Sequence, residues 1–392
     1  MNKKIHTHTV IVGAGFAGVS AALELAKNKT GRVTLVSDEP YFLHHATLYA
    51  TATGRNRAES VLPLIDIFKD CPNVEIVQDK LVSLDTHRKL AICKKSQYNY
   101  DNLVLAIGTV TTYFGVKGMA QHSFGIKTLE QIKKFNKHIH DSVAVDRHID
   151  RNYVVVGAGP TGVELAGALQ EYLTSLKASY KIKKAKVRVS IAEAAPRVLP
   201  GSSKTASRKV HKHLEKLGVH INTNQRVESI DDEFVTINGK KIPTETVIWT
   251  CGVKNNPFFA KHTDVFRIAK NDRVAVDDYL QTHKNIFVVG DNSDVKYSGM
   301  AYPAIRTGQF VAKTIHRKHL NKKIRPFRPI KPASATPVGE SWAYVEWFRV
   351  YVAGRTGYAL RRLIELYGYT HILPFKDALS VWRSRELSET DV

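Results

Sequence analysis

The chain has 392 residues, with 58 Lys and Arg against 36 Asp and Glu for a formal charge of +22, and 43% of it is hydrophobic. That length suggests roughly two to three domains of about 100–200 residues, and the apolar fraction excludes a mainly disordered chain. Three cysteines, Cys71, Cys93 and Cys251, with no C-x-x-C pair, argue against a disulfide scaffold, a zinc ribbon and a local redox disulfide. No charge-free apolar run is long enough to span a bilayer. Met1-Asn-Lys-Lys-Ile5 passes almost at once into a strand-like run, so no cleaved signal peptide is expected. The charge points to an anionic partner without choosing among nucleic acid, a membrane surface and a phosphorylated ligand.

In chain order, Thr9-Val-Ile-Val12 reads as a strand, followed by the loop Gly13, Ala14, Gly15, Phe16, Ala17 and Gly18 and an Ala/Leu-rich helix through Ala26. The next strand, Val33–Val36, ends in Ser37-Asp38-Glu39. Ser37 stands where an acid is expected. Asp38, one place on, is either a ribose ligand or a solvated turn acid. His44-His45 either borders the cofactor of this unit or, as the favoured reading, is a solvated pair, because no third metal-ligating partner accompanies it. Leu103–Gly108 is a further strand, closing on Ala106 and Gly108.

The pattern then repeats. Val154–Val156 leads into Gly157, Gly159, Pro160, Thr161 and Gly162, and Val247-Ile-Trp-Thr-Cys-Gly252 matches Leu103–Gly108. Gly13 to Gly157 and Gly108 to Gly252 are both offsets of 144 (157 − 13 and 252 − 108), which indicates two copies of one supersecondary plan. In each G-x-G-x-x-G the first glycine allows the tight strand-to-helix turn. The second lets a pyrophosphate approach the backbone, and the third lets helix and strand pack closely. Both matches follow a strand and precede a helix, so two dinucleotide sites are expected. After the second, strand Val187–Ala192 ends in Glu193. A carboxylate there accepts ribose hydroxyls and repels a 2′-phosphate, favouring NAD(H) over NADP(H).

A third strand, Asn285–Val289, closes on Gly290-Asp291 and is followed by a helix-like run in which Ala304, Gly308 and Ala312 recur every four residues. That stripe fits either a close helix contact or the edge of a cofactor. Lys313 to Lys331 holds eight Lys/Arg and no acid, and Pro326, Pro329, Pro332 and Pro337 mark a linker-like change. Beyond it, Trp342, Val345, Arg349 and Val352 approximate one helical stripe, and Leu360, Leu363, Ile364 and Tyr367 make another. With Trp342, Trp347 and Trp382 nearby, these read as core-covering helices or as a monotopic membrane face. The six Lys/Arg from Lys177 through Arg188 read as a solvated helix end and loop, and no nucleic-acid reader motif accompanies them.

Taken in order, Val10–Gly18, Tyr100–Gly108, Val156–Leu169, Glu193–Pro200, Trp249–Val253 and Phe287–Asp291 resemble the two-dinucleotide-binding flavoproteins, and within them the type II NADH:quinone oxidoreductases. The resemblance implies FAD on the first unit and Asp291, and NADH on the second. It places Glu164 near nicotinamide and flavin; the position 144 earlier is Ser20, so the carboxylate belongs to the second unit alone. On the residues alone, Glu164 could equally be a helix-start acid with no chemical role. The family's quinone-side pattern Ala-Gln-x-Ala-x-Gln-x-Gly reads here Ala301-Tyr302-Pro-Ala-Ile-Arg306-Thr-Gly308, with Tyr302 and Arg306 in place of glutamines.

The expected fold is α/β: two Rossmann-like FAD/NAD(P)-binding domains, the NAD domain (120–255) inserted in the FAD domain (1–119 and 256–325), plus a C-terminal helical, membrane-docking segment (326–392). The expected function is FAD-dependent oxidation of NADH with electron transfer to a membrane quinone, without proton pumping by the chain itself. The rivals are a soluble NADH-dependent reductase or oxidase serving a protein carrier or oxygen, and a non-catalytic NAD(H)-sensing or nucleic-acid-binding flavoprotein. Expected partners are NADH, a quinone or other acceptor and a membrane surface, with no metal and no specific nucleic acid; homodimerisation stays open. The expected location is the cytoplasmic face of the cell membrane, peripherally bound, or the cytoplasm.

Overall fold

A computed structural model describes residues 7–145, 149–150, 152–182 and 187–384. Lys183, Lys184 and Lys186 of the second basic stretch lie outside the described residues. The first unit opens with β1 (His8–Val12), in which Val10, Ile11 and Val12 are buried, and turns at Gly13 into α1 (Phe16–Lys27). β2 (Arg32–Ser37), β3 (Val74–Gln78) and β4 (Asn102–Leu105) follow. The second unit contains β5 (Asn152–Val156), α2 (Pro160–Ser179), β6 (Arg188–Glu193), α3 (Lys204–Leu217), β7 (His220–Thr223) and β8 (Thr246–Trp249). The chain then returns to the first sheet as β9 (Gln281–His283) and β10 (Ile286–Val288) before α4 (Ala301–His319).

The first sheet runs β9-β10-β4-β1-β2-β3, parallel except at its β9–β10 edge. The second runs β7-β6-β5-β8 and is wholly parallel. Parallel strands covered on both faces need continuous apolar sequence, which is what Val10–Val12, Leu103–Leu105, Tyr153–Val156 and Val247–Trp249 provide. In such sheets ligands bind outside the carboxyl ends of the strands, where Gly13, Gly108, Gly157, Gly252 and Asp291 all stand.

The stripe of Ala304, Gly308 and Ala312 is a helix contact. A Cβ on Gly308 would come 2.1 Å from the Ala17 carbonyl oxygen, so α4 lies directly against α1 and the small residues permit that approach.

The C-terminal part is only partly helical. β11 (Ser334–Pro337), β12 (Ala343–Trp347) and β13 (Val350–Gly354) form an antiparallel meander, followed by α5 (Arg355–Thr370) and α6 (Phe375–Arg383). The stripe of Trp342, Val345, Arg349 and Val352 is therefore not a helix face. Val345 pairs directly with Val352 across the sheet, and Phe348 turns the chain with a φ of 54°. This segment fastens the two units together: Val338 and Tyr344 join the core of the second, while Tyr369, Ile372, Leu373 and Ala378 join that of the first.

α5 is amphipathic with its charges inward. Arg361, Arg362 and Glu365 are buried, whereas Leu363 and Tyr367 are 58% and 57% exposed. Among the described residues no helix is long and apolar enough to cross a membrane.

Candidate active site

The two glycine loops are built alike. Gly13 N–H donates to Val36 O at 2.8 Å and Gly157 N–H to Ala192 O at 2.8 Å. Both first glycines have φ of 101°, in the left-handed region that side chains disfavour. A Cβ on Gly18 would stand 1.8 Å from Gly13 O, and one on Gly162 would stand 2.0 Å from Gly157 O; these third glycines let each helix close onto its own turn. The middle glycines differ in kind. A Cβ on Gly15 or Gly159 would meet nothing within 4 Å, so both face open space at the start of a helix. Backbone N–H groups free at a helix start, with room for a pyrophosphate beside them, fit a dinucleotide in each unit.

The strand registers make Ser37 and Glu193 structural equivalents. Val12 pairs with Val36, Val156 pairs with Ala192, and Ser37 and Glu193 each come next. Ser37 is buried, and its Oγ accepts from Glu39 N–H at 3.3 Å. Asp38 is exposed and lies 3.6 Å from Lys80 Nζ. Glu193 turns back on the glycine loop: its Oε2 accepts from Ala158 N–H at 2.6 Å and its Oε1 from Ala195 N–H at 2.7 Å.

Gly108 and Asp291 are brought together by a residue that the motif reading passed over. Asn292, fully buried, accepts from Gly108 N–H at 2.8 Å and donates to Gly108 O at 2.7 Å. This two-way amide clamp joins the ends of β4 and β10, and its partner lies too far along the chain to leave a local signal. Asp291 Oδ1 accepts from Gly299 N–H at 2.9 Å, and Gly290 N–H donates to Thr307 Oγ1 at 3.0 Å. Ala301 and Tyr302 occupy the first turn of α4, half-buried, and Arg306 follows one turn later, its buried Nε without a hydrogen-bond partner among the described residues.

Glu164 lies on α2 two residues after Gly162. Burial pushes its carboxyl up to about 8, against the pull of Arg361 and with the push of Glu365. It nevertheless retains some accessible surface. Its neighbours form a buried charge cluster on α5. Arg361 Nη1 is 2.6 Å from Glu365 Oε1, and its Nη2 donates to Ala46 O at 3.2 Å. Arg362 Nη1 meets Glu365 Oε2 at 2.5 Å and Glu59 Oε1 at 3.7 Å. Its guanidinium stacks over Trp382 at 4.6 Å, and Tyr369 OH donates to Glu59 O at 2.6 Å. A motif scan missed this cluster. Its signal was the Arg361/Glu365 pair at i, i+4, interleaved with the apolar stripe.

The His44-His45 pair is not solvated on both sides. His44 is buried against Tyr369, with ring centres 4.7 Å apart, and against Phe16 at 5.2 Å; its Nδ1 shares a hydrogen bond with Thr47 Oγ1 at 3.2 Å. Burial lowers it to about 3, so it is neutral near pH 7. Cys251 Sγ donates to Val156 O at 3.1 Å, and burial pushes its thiol up to about 12. It is no nucleophile. All three cysteines are free.

Residues 7–308 match the pyridine nucleotide-disulphide oxidoreductase family. The type II NADH:quinone oxidoreductase of Staphylococcus epidermidis is 26% identical over 378 residues, which span 91% of this chain and 93% of that protein. The Staphylococcus aureus protein of the same name gives the same identity and coverage. Among solved structures, NDH2 from Plasmodium falciparum in complex with NADH superposes with a TM-score of 0.86 at 18% identity, over 98% of this chain and 100% of that one. The sulfide:quinone oxidoreductase of Aquifex aeolicus reaches a TM-score of 0.76 at 20% identity, over 97% and 92% of the two chains.

Proposed function

The chain belongs to the pyridine nucleotide-disulphide oxidoreductase family, and from that premise we propose that it oxidises NADH through FAD and passes the electrons to a quinone at a membrane surface. FAD is held by the first unit (1–119 and 256–325), through the loop from Gly13 to Gly18, Gly108 and Asp291. NADH is held by the inserted unit (120–255), through Gly157 to Gly162, Glu193 and Gly252. A bound flavin supplies the hydride-accepting and electron-passing chemistry. The protein binds and orients the two dinucleotides, and its lack of paired cysteines suits a route that needs no thiol.

The observation that carries this reading is Glu164. NADH yields two electrons and one proton as hydride, whereas a quinone takes two electrons and two protons, so one more proton has to be delivered. A carboxyl raised to about 8 is still protonated near pH 7 and sits in the unit that binds NADH; it is suited to hold that proton. The resemblance to type II NADH:quinone oxidoreductases spans 91% of the chain.

The outward apolar residues of α5, the aromatic tip Trp347-Phe348 and the basic run from Lys313 to Lys331 support peripheral docking on the cytoplasmic face of the membrane. A second reading, a soluble enzyme serving a protein carrier or oxygen, draws on Tyr302 and Arg306, which stand where the quinone-side pattern has glutamines. Stopped-flow reduction by NADH, followed by reoxidation with quinone, oxygen or carrier, separates the two. Reoxidation by quinone no faster than that of free reduced flavin overturns the first.

A further inference from the structure

α2 carries a second acid in line with Glu164. Glu171 follows it by seven residues, with Ala168 between them, so the three lie in one row along the helix. At 1.5 Å per residue the two acids are about 10 Å apart along the axis. Glu164, Ala168 and Glu171 each keep some accessible surface, whereas their neighbours Val163, Leu165, Ala166, Gly167 and Leu169 are buried. The row is therefore within reach of water at both acids and at the small residue that separates them.

Glu171 stands at the outer end of this row. Its carboxyl fills the space beside the turn between β11 and β12: a Cβ on Gly339 would lie 2.6 Å from Glu171 Oε1 and 2.9 Å from Oε2. Glu340, next in the chain, opens to solvent with 63% of its side chain exposed, and its Oε1 lies 3.9 Å from Arg55 Nη2. Burial first and then Glu340 raise the Glu171 carboxyl, against the Glu340 main chain and Arg55. Its Oε2 is buried and without a hydrogen-bond partner among the described residues. Such an acid takes up a proton more readily than a solvated one. Tyr49 links the two ends of the row. It is buried on the short helix Leu48–Thr51, which packs against α2, and its phenol is subject to the charges of both Glu164 and Arg55.

With Glu164 as the source of the second proton, each turnover leaves it a carboxylate that has to be reloaded. We propose that Glu171 is the relay that reloads it, taking a proton from solvent beside Glu340 and passing it along the α2 row, past Ala168, to the Glu164 carboxylate. For each proton one O–H bond breaks on Glu171 and one forms on Glu164, with water or the Tyr49 hydroxyl carrying it between them. Water then returns a proton to Glu171. The relay rests on the reading of Glu164 as proton donor.

The test uses the holoenzyme with Glu171→Gln, which removes the titrating group at nearly constant shape, and Ala168→Leu, which keeps both acids and fills the row between them. In stopped flow, reduction by NADH stays within twofold of wild type in both. Reoxidation by quinone slows about tenfold or more, within what positioned proton transfer contributes, and its solvent deuterium isotope effect rises. Added formate, a small weak acid, restores the rate of Glu171→Gln, and Glu171→Asp stays near wild type. A second arm follows the infrared carboxyl band that Glu164→Gln lacks after a rapid pH jump; its protonation slows about tenfold in both variants. A purely structural Glu171 lowers the melting temperature of Glu171→Gln but leaves isotope effect, formate response and pH-jump rate as in wild type, which overturns the relay. So do both variants within twofold of wild type in reoxidation and pH jump. The infrared arm involves no acceptor, so a protein that passes no electrons to quinone sinks the functional reading while the pH jump still decides the relay.

Discussion

Glu193 Oε2 accepts from the N–H of Ala158, inside the second glycine loop, at 2.6 Å. The carboxylate that would read the adenosine ribose is thus fixed by the same loop that would hold the pyrophosphate, so ribose and phosphate recognition share one rigid piece. Its Oε1 is fixed at the far side by Ala195 N–H at 2.7 Å. Each oxygen keeps a lone pair for a ribose hydroxyl, and the charge opposes a 2′-phosphate. Glu193→Gln should lower kcat/KM for NADH about tenfold or more, in line with the ~1.5–3 kcal/mol of a hydrogen bond to a charged group. The NADH-to-NADPH preference should narrow, because the repulsion goes with the charge. Parallel steady-state kinetics with the two nucleotides measure this; an unchanged preference removes Glu193 from the site.

Glu164 sets a pH expectation with a definite sign. Its carboxyl is raised to about 8 by burial, so the protonated form prevails below that pH and is lost above it. If it supplies the second proton to quinone, quinone-dependent turnover holds through neutral pH and falls as pH rises through about 8. Glu164→Gln should retain flavin, cut turnover by roughly 10²-fold, the lower end of what positioned proton transfer contributes, and abolish that alkaline limb. A limb that persists in the variant belongs to another group.

The glycines of the first loop separate folding from binding. Gly13→Ala places a Cβ 2.2 Å from Ala106 O at a φ of 101°, and should cost more than ~2 kcal/mol of stability through strain and overlap. Gly15→Ala meets nothing within 4 Å and should leave the melting temperature of the flavin-free protein nearly unchanged while weakening FAD retention. Calorimetry and flavin content of the two variants should therefore move in different combinations. A Gly15→Ala protein with full flavin would mean that no phosphate approaches there.

How much of this was legible in the sequence depended on how local each cause was. The loops at Gly13 and Gly157 are strand, turn and helix in immediate succession, so the sterics that require glycine are written into adjacent positions; the 144-residue offset then doubled the signal. Register even places Ser37 and Glu193 at equivalent sites, as their positions just after the second strand of each unit suggested. The failures are long-range. His44 looked solvated because nothing near it in sequence announces Tyr369. The residues from Trp342 to Val352 fitted a helical spacing that the pairing of Val345 with Val352 overrode. The stripe of Leu360, Leu363, Ile364 and Tyr367 could be read as covering the core, but α5 is turned the other way, with Arg362 paired inside to Glu59 and Glu365.

That inverted helix leads to the membrane prediction. Buried ion pairs contribute little net stability but resist being turned out singly, since a lone partner left inside is strongly unfavourable. Arg361 and Arg362 therefore hold Leu363 and Tyr367 outward, 58% and 57% exposed, alongside Trp347 and Phe348, both 58% exposed at the tip of the β12–β13 hairpin. Large apolar side chains fixed toward solvent next to Arg349 and Arg355 fit the interface of an anionic bilayer. Leu363→Asp and Trp347→Ser should each weaken sedimentation with anionic vesicles by about tenfold, given the ~1.5–3 kcal/mol gained on burying such a side chain. Neither touches the inner cluster, so flavin content and NADH oxidation by a small soluble acceptor should be retained. Raising salt should release the wild type only in part, because screening removes the contribution of the basic residues and leaves the apolar one. Complete release by salt, with both variants binding like wild type, would assign the docking to charge alone and leave the outward face of α5 without a membrane role.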